Sequence, residues 1–110
     1  MPYLDTALTL EDVPLGTNRC VTLGDVQIGL FHRQEGLFAI DNICPHRGAS
    51  LHDGMVSGGQ VTCPWHQWQF QLEDGVCLNI PKVRIATHAV EVRDGAIWIN
   101  LEDEGGTGKI

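Results

Sequence analysis

Cys44-Pro45-His46-Arg47-Gly48 and, with 16 residues between His46 and the next cysteine, Cys63-Pro64-Trp65-His66-Gln67-Trp68 carry the same pair of donors twice. Each segment supplies one thiolate and one imidazole, as C-x-H and C-x-x-H. A C-x-x-C pair would offer two soft anionic ligands to one metal. Here each segment offers one anionic and one neutral ligand. If the two segments meet, two sulfurs can take one metal ion while two nitrogens take another. A single tetrahedral zinc is the competing reading of two Cys and two His. Zinc sites usually pair like ligands, and the one-residue spacing of Cys44 and His46 is tight for one ion. A Cys44–Cys63 disulfide is disfavoured in a reducing compartment.

Outward from these segments the hydrophobic pattern has a period of two. Val26, Ile28 and Leu30 alternate with Gln27, Gly29 and Phe31. Gln34-Glu35-Gly36 turns the chain, and Leu37-Phe38-Ala39-Ile40 returns, which is a hairpin signature. Trp68, Phe70 and Leu72 alternate with Gln69 and Gln71. Val90 and Val92 alternate with Glu91 and Arg93, and Asp94-Gly95 is a strong two-residue hairpin turn before Ile97, Ile99 and Leu101. Turn signals recur at Gly24-Asp25, Glu35-Gly36, Asp53-Gly54, Gly58-Gly59, Asp74-Gly75 and Asp94-Gly95. The spacing predicts an all-β antiparallel sandwich or barrel-like domain. The one helical hint is a capped turn at Thr9–Val13, ended by Pro14. Glu102–Ile110 carries acids, glycines and little apolar content, and reads as a mobile tail. The expected organisation is a domain over 1–102, with its functional loops at about 43–70, and a flexible tail over 103–110.

The 110 residues suit one domain, and no apolar stretch approaches a membrane span. The N-terminus lacks a secretory signal pattern, so the expected compartment is the cytoplasm. The net charge is −7, with 14 carboxylates against 7 Lys and Arg. Arg33, Arg47 and Lys82 are scattered. That argues against nucleic acid, which needs clustered cations. It suits either solubility or steering toward a positively charged partner face.

Other candidates have plainer readings. Cys20 and Cys77 lie in strand-like segments and are expected to be buried, inert thiols. His52 is expected at the surface, and His32 and His88 carry no assigned role. Trp65 and Trp68 are expected to keep water off the site, Trp65 also as a possible partner contact. Trp98 faces away from Ile97 and Ile99. Pro45 and Pro64 stiffen the chain beside each cysteine. Gly48 serves either a turn or a close backbone approach.

C-P-H-R-G and C-P-W-H-Q-W resemble the two-loop signature of the Rieske family, with all four ligand positions filled and similarity from about Leu37 to Val90. The resemblance implies antiparallel sheets with a two-loop subdomain holding one [2Fe–2S] cluster. Cys44 and Cys63 would bind the inner iron, and His46 and His66 the outer iron. Two ferric ions, two sulfides and two thiolates carry no net charge. Neutral imidazoles in place of two further thiolates therefore make the cluster easier to reduce. Respiratory-chain members carry a second cysteine in each loop, forming a disulfide. Ala49 and Trp65 stand there instead. Those members also place hydroxyls on the cluster sulfurs from a Ser and a Tyr, where this chain has Trp68 and Phe70. Hydrogen bonds to sulfur raise the potential, so their absence predicts a value near the low end of the Rieske range, roughly −150 mV.

The wording from Cys44 to Gly75 is similar to the small subunit of NAD(P)H-dependent nitrite reductase. The alternative is the soluble Rieske ferredoxin of an aromatic-ring-hydroxylating dioxygenase. Either implies a redox partner protein, a reductase or a large catalytic subunit, with no nucleic acid and no membrane. The sequence shows no nucleotide-binding glycine loop, so the chain is not expected to be catalytic alone. A zinc-bound interaction module is the remote third reading.

Overall fold

Turn chemistry sets where the strands end. Asp94 and Gly95 have φ of 50° and 82°, and Gly58 and Gly59 have 59° and 78°. Both pairs occupy the left-handed region that two-residue hairpin turns require. The protein is described here as a computed structural model covering residues 3–44, 48–64, 68–80 and 82–101. Its described strands are β1 (Leu4–Thr9), β2 (Asn18–Leu23), β3 (Val26–Arg33), β4 (Gly36–Asp41), β5 (Met55–Ser57), β6 (Gln60–Thr62), β7 (Gln69–Gln71), β8 (Thr87–Arg93) and β9 (Ala96–Asn100).

Six strands form one sheet in the order β1-β9-β8-β4-β3-β2, and a second sheet runs β5-β6-β7. Every strand pair is antiparallel. The edge strands β1 and β2 approach each other, so the larger sheet curls on itself. The expected hairpins 26–40 and 90–101 are present as β3–β4 and β8–β9. The helical hint at Thr9 is a single 3₁₀ turn, Leu10–Asp12, with the Asp12 carboxylate accepting the Thr9 N–H at 2.9 Å. Among the described residues no helix is long and apolar enough to cross a membrane. The expected tail, 103–110, lies outside the described residues.

Two departures from the sequence reading share one cause. β4 does not alternate: Gly36 through Ile40 are all buried. Phe31, on the face opposite Ile28 and Leu30, is fully buried as well. The β3–β4 pair is covered on both sides, so neither face stays polar. One face packs with Val13, Ile28, Leu30, Leu37, Ala39, Val90, Ile97 and Ile99. The other, through Phe31, Phe38 and Ile40, packs against the β5–β7 subdomain and the loops beside it.

Candidate functional site

The first loop leaves β4 and returns through a 3₁₀ turn, Leu51–Asp53. The Cys44 N–H donates to the Ala49 carbonyl at 2.9 Å and the Gly48 N–H to the Cys44 carbonyl at 2.8 Å. Ile43 and Ser50 pair as an antiparallel bridge below them. Gly48 has φ of 76°, and a Cβ there would meet only Ile43 at an ordinary 3.9 Å. Backbone conformation, not space, calls for glycine at this position. The second loop joins β6 to β7, and the Cys63 N–H donates to the Trp68 carbonyl at 2.7 Å. The two loops therefore close alike: each cysteine N–H reaches the carbonyl five residues on.

Cys44 and Cys63 are 1% and 0% exposed and belong to one apolar cluster with Ala49, Leu51, Val61 and Phe70. Trp68 packs against that cluster, its ring 6.4 Å from that of Phe70. The structure thus brings the two predicted sulfurs into one water-poor region from loops 19 positions apart in sequence. His46 and His66 lie outside the described residues, as do Pro45, Arg47, Trp65 and Gln67. Among the described residues no three His, Cys, Asp or Glu are grouped to hold a metal ion. A cleft of about 450 Å³ flanks the second loop, lined by Asp53, Gly54, Met55, Ser57, Thr62, Cys63 and Pro64.

The remaining candidates fall beside the loops or away from them. Cys77 is fully buried in the same cluster, as expected. Cys20 is only half-buried, which corrects the expectation of a core thiol. It lies on the outermost strand of its sheet, where only one flank is covered. Burial, and then the charge of Asp53, push its thiol pKa up. Among the described residues the cysteines form no disulfide. His52 is half-buried, with Nε2 3.4 Å from Asp53 and Nδ1 3.2 Å from Asn42 Oδ1. His32 Nδ1 lies 2.6 Å from the Val13 carbonyl, and the buried His88 Nε2 lies 2.8 Å from Asp41. Trp98 is half-buried on the outer face, under the Arg93 guanidinium at 4.7 Å. Asn42, fully buried two residues before Cys44, escaped the sequence reading because it belongs to no periodic or ligand pattern.

Burying an anionic sulfur is costly unless a cation pairs with it. Two thiols at matched loop corners, both out of water, are a donor set suited to a metal group held from inside by sulfur. The fold and these loops define a small antiparallel β-protein in which two cysteine-bearing loops meet in one apolar cluster.

Comparison with known proteins supplies the family. The Rieske [2Fe-2S] domain matches residues 6–90. The ferredoxin component of the naphthalene 1,2-dioxygenase/salicylate 5-hydroxylase systems of Ralstonia sp is 30% identical over 101 residues, covering 91% of this chain and 96% of that one. The cholesterol 7-desaturase nvd of Xenopus laevis is 42% identical over 77 residues, but the match spans only 17% of its length. A solved structure assigned as an NADH-dependent nitrite reductase small subunit from Mycobacterium tuberculosis superposes with a TM-score of 0.78 at 29% identity, covering 90% of this chain and 96% of that one. A ferredoxin solved in complex with the oxygenase of carbazole 1,9a-dioxygenase also gives 0.78, at 26% identity, over 86% and 99% of the two chains. The chain belongs to the Rieske [2Fe–2S] domain family. It is an electron-transfer domain that binds one [2Fe–2S] cluster.

Proposed function

We propose that Cys44 and Cys63 hold the inner iron and His46 and His66 the outer iron. We further propose that the chain relays electrons as the small subunit of an NAD(P)H-dependent nitrite reductase. The observation that carries the ligand assignment is the matched closure of the two loops around two buried sulfurs in one apolar cluster. When bound, the cluster supplies reversible one-electron transfer. The chain's own part is to present the sulfurs from rigid corners, to exclude water with Leu51, Trp68 and Phe70, and to offer no side-chain hydroxyl at positions 68 and 70. That last feature supports a potential near the low end of the family's range, roughly −150 mV.

The assignment is tested by chemistry on the purified protein. The wild type should carry two irons and two acid-labile sulfides per chain. Cys44→Ser and Cys63→Ser should lose them, and His66→Cys should lower the potential or lose the cluster. An unchanged potential and spectrum for His66→Cys would remove that residue from the ligand set. A wild-type potential well above zero would contradict the argument from Trp68 and Phe70.

A second reading, a ferredoxin serving a ring-hydroxylating dioxygenase, is supported by the near full-length match to the Ralstonia ferredoxin component. Reconstitution separates the two. Electron delivery to a flavin–sirohaem nitrite reductase subunit, and not to a dioxygenase oxygenase, favours the first; the reverse overturns it.

A further inference from the structure

The first loop hangs from one buried amide. The Asn42 backbone N–H donates to the Gln27 carbonyl on β3 at 2.9 Å, and its carbonyl accepts the Leu51 N–H at 2.7 Å. Its side-chain Oδ1 accepts the His52 N–H at 2.8 Å, and Nδ2 donates to Cys20 Sγ on β2 at 3.6 Å. One residue thus ties the outgoing limb, the returning limb and two strands of the large sheet. Gly29 makes room for it, since a Cβ there would meet Asn42 Oδ1 at 2.9 Å.

The sheet grips the returning limb a second time. Asn18 Nδ2, on β2, donates to the His52 carbonyl at 3.2 Å and the Gly54 carbonyl at 3.3 Å. The Arg33 guanidinium donates to Asn18 Oδ1 and holds that amide in place. Cys44 therefore rides on a root fixed from two strands. Removing a buried partner strands the groups left behind, here the His52 N–H, so the root would shift to find others.

We propose that Asn42 is a positioning residue for the cluster, with Asn18 in support: together they set where Cys44 stands relative to the large sheet. The inference rests on Cys44 being a ligand.

The test compares Asn42→Ala and Asn18→Ala with Ile97→Val, a change in the opposite core. Each holoprotein is reduced with dithionite, and iron release to a ferrous chelator is followed the same number of degrees below each variant's Tm. Both asparagine variants should release iron about tenfold faster or more than wild type. Their electron paramagnetic resonance spectra after reduction should differ from wild type, while Ile97→Val keeps the wild-type rate and spectrum. Wild-type rates and spectra in both asparagine variants would overturn the proposal, as would equal acceleration in Ile97→Val. Where Asn42→Ala yields no folded protein, Asn18→Ala decides by the same criteria. The ligand reading fails separately, through a Cys44→Ser protein that keeps its full iron and spectrum.

Discussion

The two faces of the β3–β4 hairpin look onto different kinds of core. On one side Val13, Ile28, Leu30, Leu37, Ala39, Val90, Ile97 and Ile99 form an all-aliphatic core, drawn mostly from regular strands. On the other, Phe31, Phe38 and Ile40 meet Leu51, Val61, Phe70, Leu72 and three cysteines, drawn largely from loops and three-residue strands. Beyond the shared hairpin, the first core is framed by the long β8–β9 ladder that includes Val90–Ile99. The second is closed by isolated bridges and single loop hydrogen bonds, among them Ile43–Ser50, Phe70–Cys77 and Cys63–Trp68. A ladder shares strain among many bonds, whereas a loop closure fails one bond at a time. On the proposed ligand assignment, cluster retention depends on the second core and not on the first, so substitutions in the two cores should differ in their effect on iron.

The largest effect is expected at Phe70. It is fully buried, paired with Val61 across β6–β7, and next to the ring of Trp68. Phe70→Ala should cost about 3–5 kcal/mol and leave the protein short of iron. Chemical denaturation with an iron assay measures both. A variant destabilised by that amount yet fully loaded with iron would show that the second core does not govern the cluster. Gly54→Ala probes the seam between the loops. Gly54 has an ordinary extended backbone, but a Cβ there would collide with the Thr62 carbonyl and press on the Leu51 carbonyl at 3.1 Å. The expected cost is about 1–3 kcal/mol, with faster iron release. A Tm and release rate equal to wild type would mean that β6 and the 3₁₀ turn move apart freely.

Much of the aliphatic core was legible in the sequence. Asp94-Gly95 and Gly58-Gly59 announce turns because few other residues accept positive φ, and Ile97, Ile99, Ile28 and Leu30 alternate as half-buried strands do. The two cysteine-bearing segments stood out in the sequence because each mixes a thiol with an imidazole, and the structure brings Cys44 and Cys63 into one apolar cluster. What escaped notice was set by contacts distant in sequence. The burial of Phe31 and all of β4 depends on a second layer that strand periodicity does not encode. Asn42 looks like any loop polar residue until Gly29, Cys20 and His52 are assembled around it. Cys20 has apolar neighbours in sequence, yet its place on an edge strand leaves it half-exposed.

Ile97→Val sharpens the comparison from the aliphatic side. One methylene lost from a fully buried position should cost about 0.5–1.5 kcal/mol with no change in iron content or spectrum. Altered spectra would show that the two cores communicate through β3–β4. Cys20 gives a smaller, chemical contrast. The thiolate is the reactive form, and burial with the Asp53 charge raises this thiol's pKa. Iodoacetamide at neutral pH should therefore label Cys20 more slowly than a free cysteine peptide, and the gap should narrow as pH rises. Labelling at the peptide's rate at neutral pH would contradict that environment.

The smallest effect is expected at Ala7, on the far edge of the large sheet, and it runs toward greater stability. β1 shifts register against β9 between Asp5 and Thr9, and Ala7 within that irregularity has φ of 63°. Its N–H is held by the Asp5 carboxylate at 2.9 Å, and the following Leu8 N–H by the Thr6 hydroxyl at 3.1 Å. These side chains hold the backbone in a conformation that an L-residue resists by roughly 1–2 kcal/mol. Glycine adopts it without that penalty but loses about 0.5–1 kcal/mol more conformational entropy on folding. The two effects leave a net gain of roughly 0.5 kcal/mol for Ala7→Gly, read as a small rise in Tm with iron content and spectrum unchanged. A fall in Tm would mean that the bulge is not strained at Ala7 and that the edge strand relies on the alanine methyl for packing.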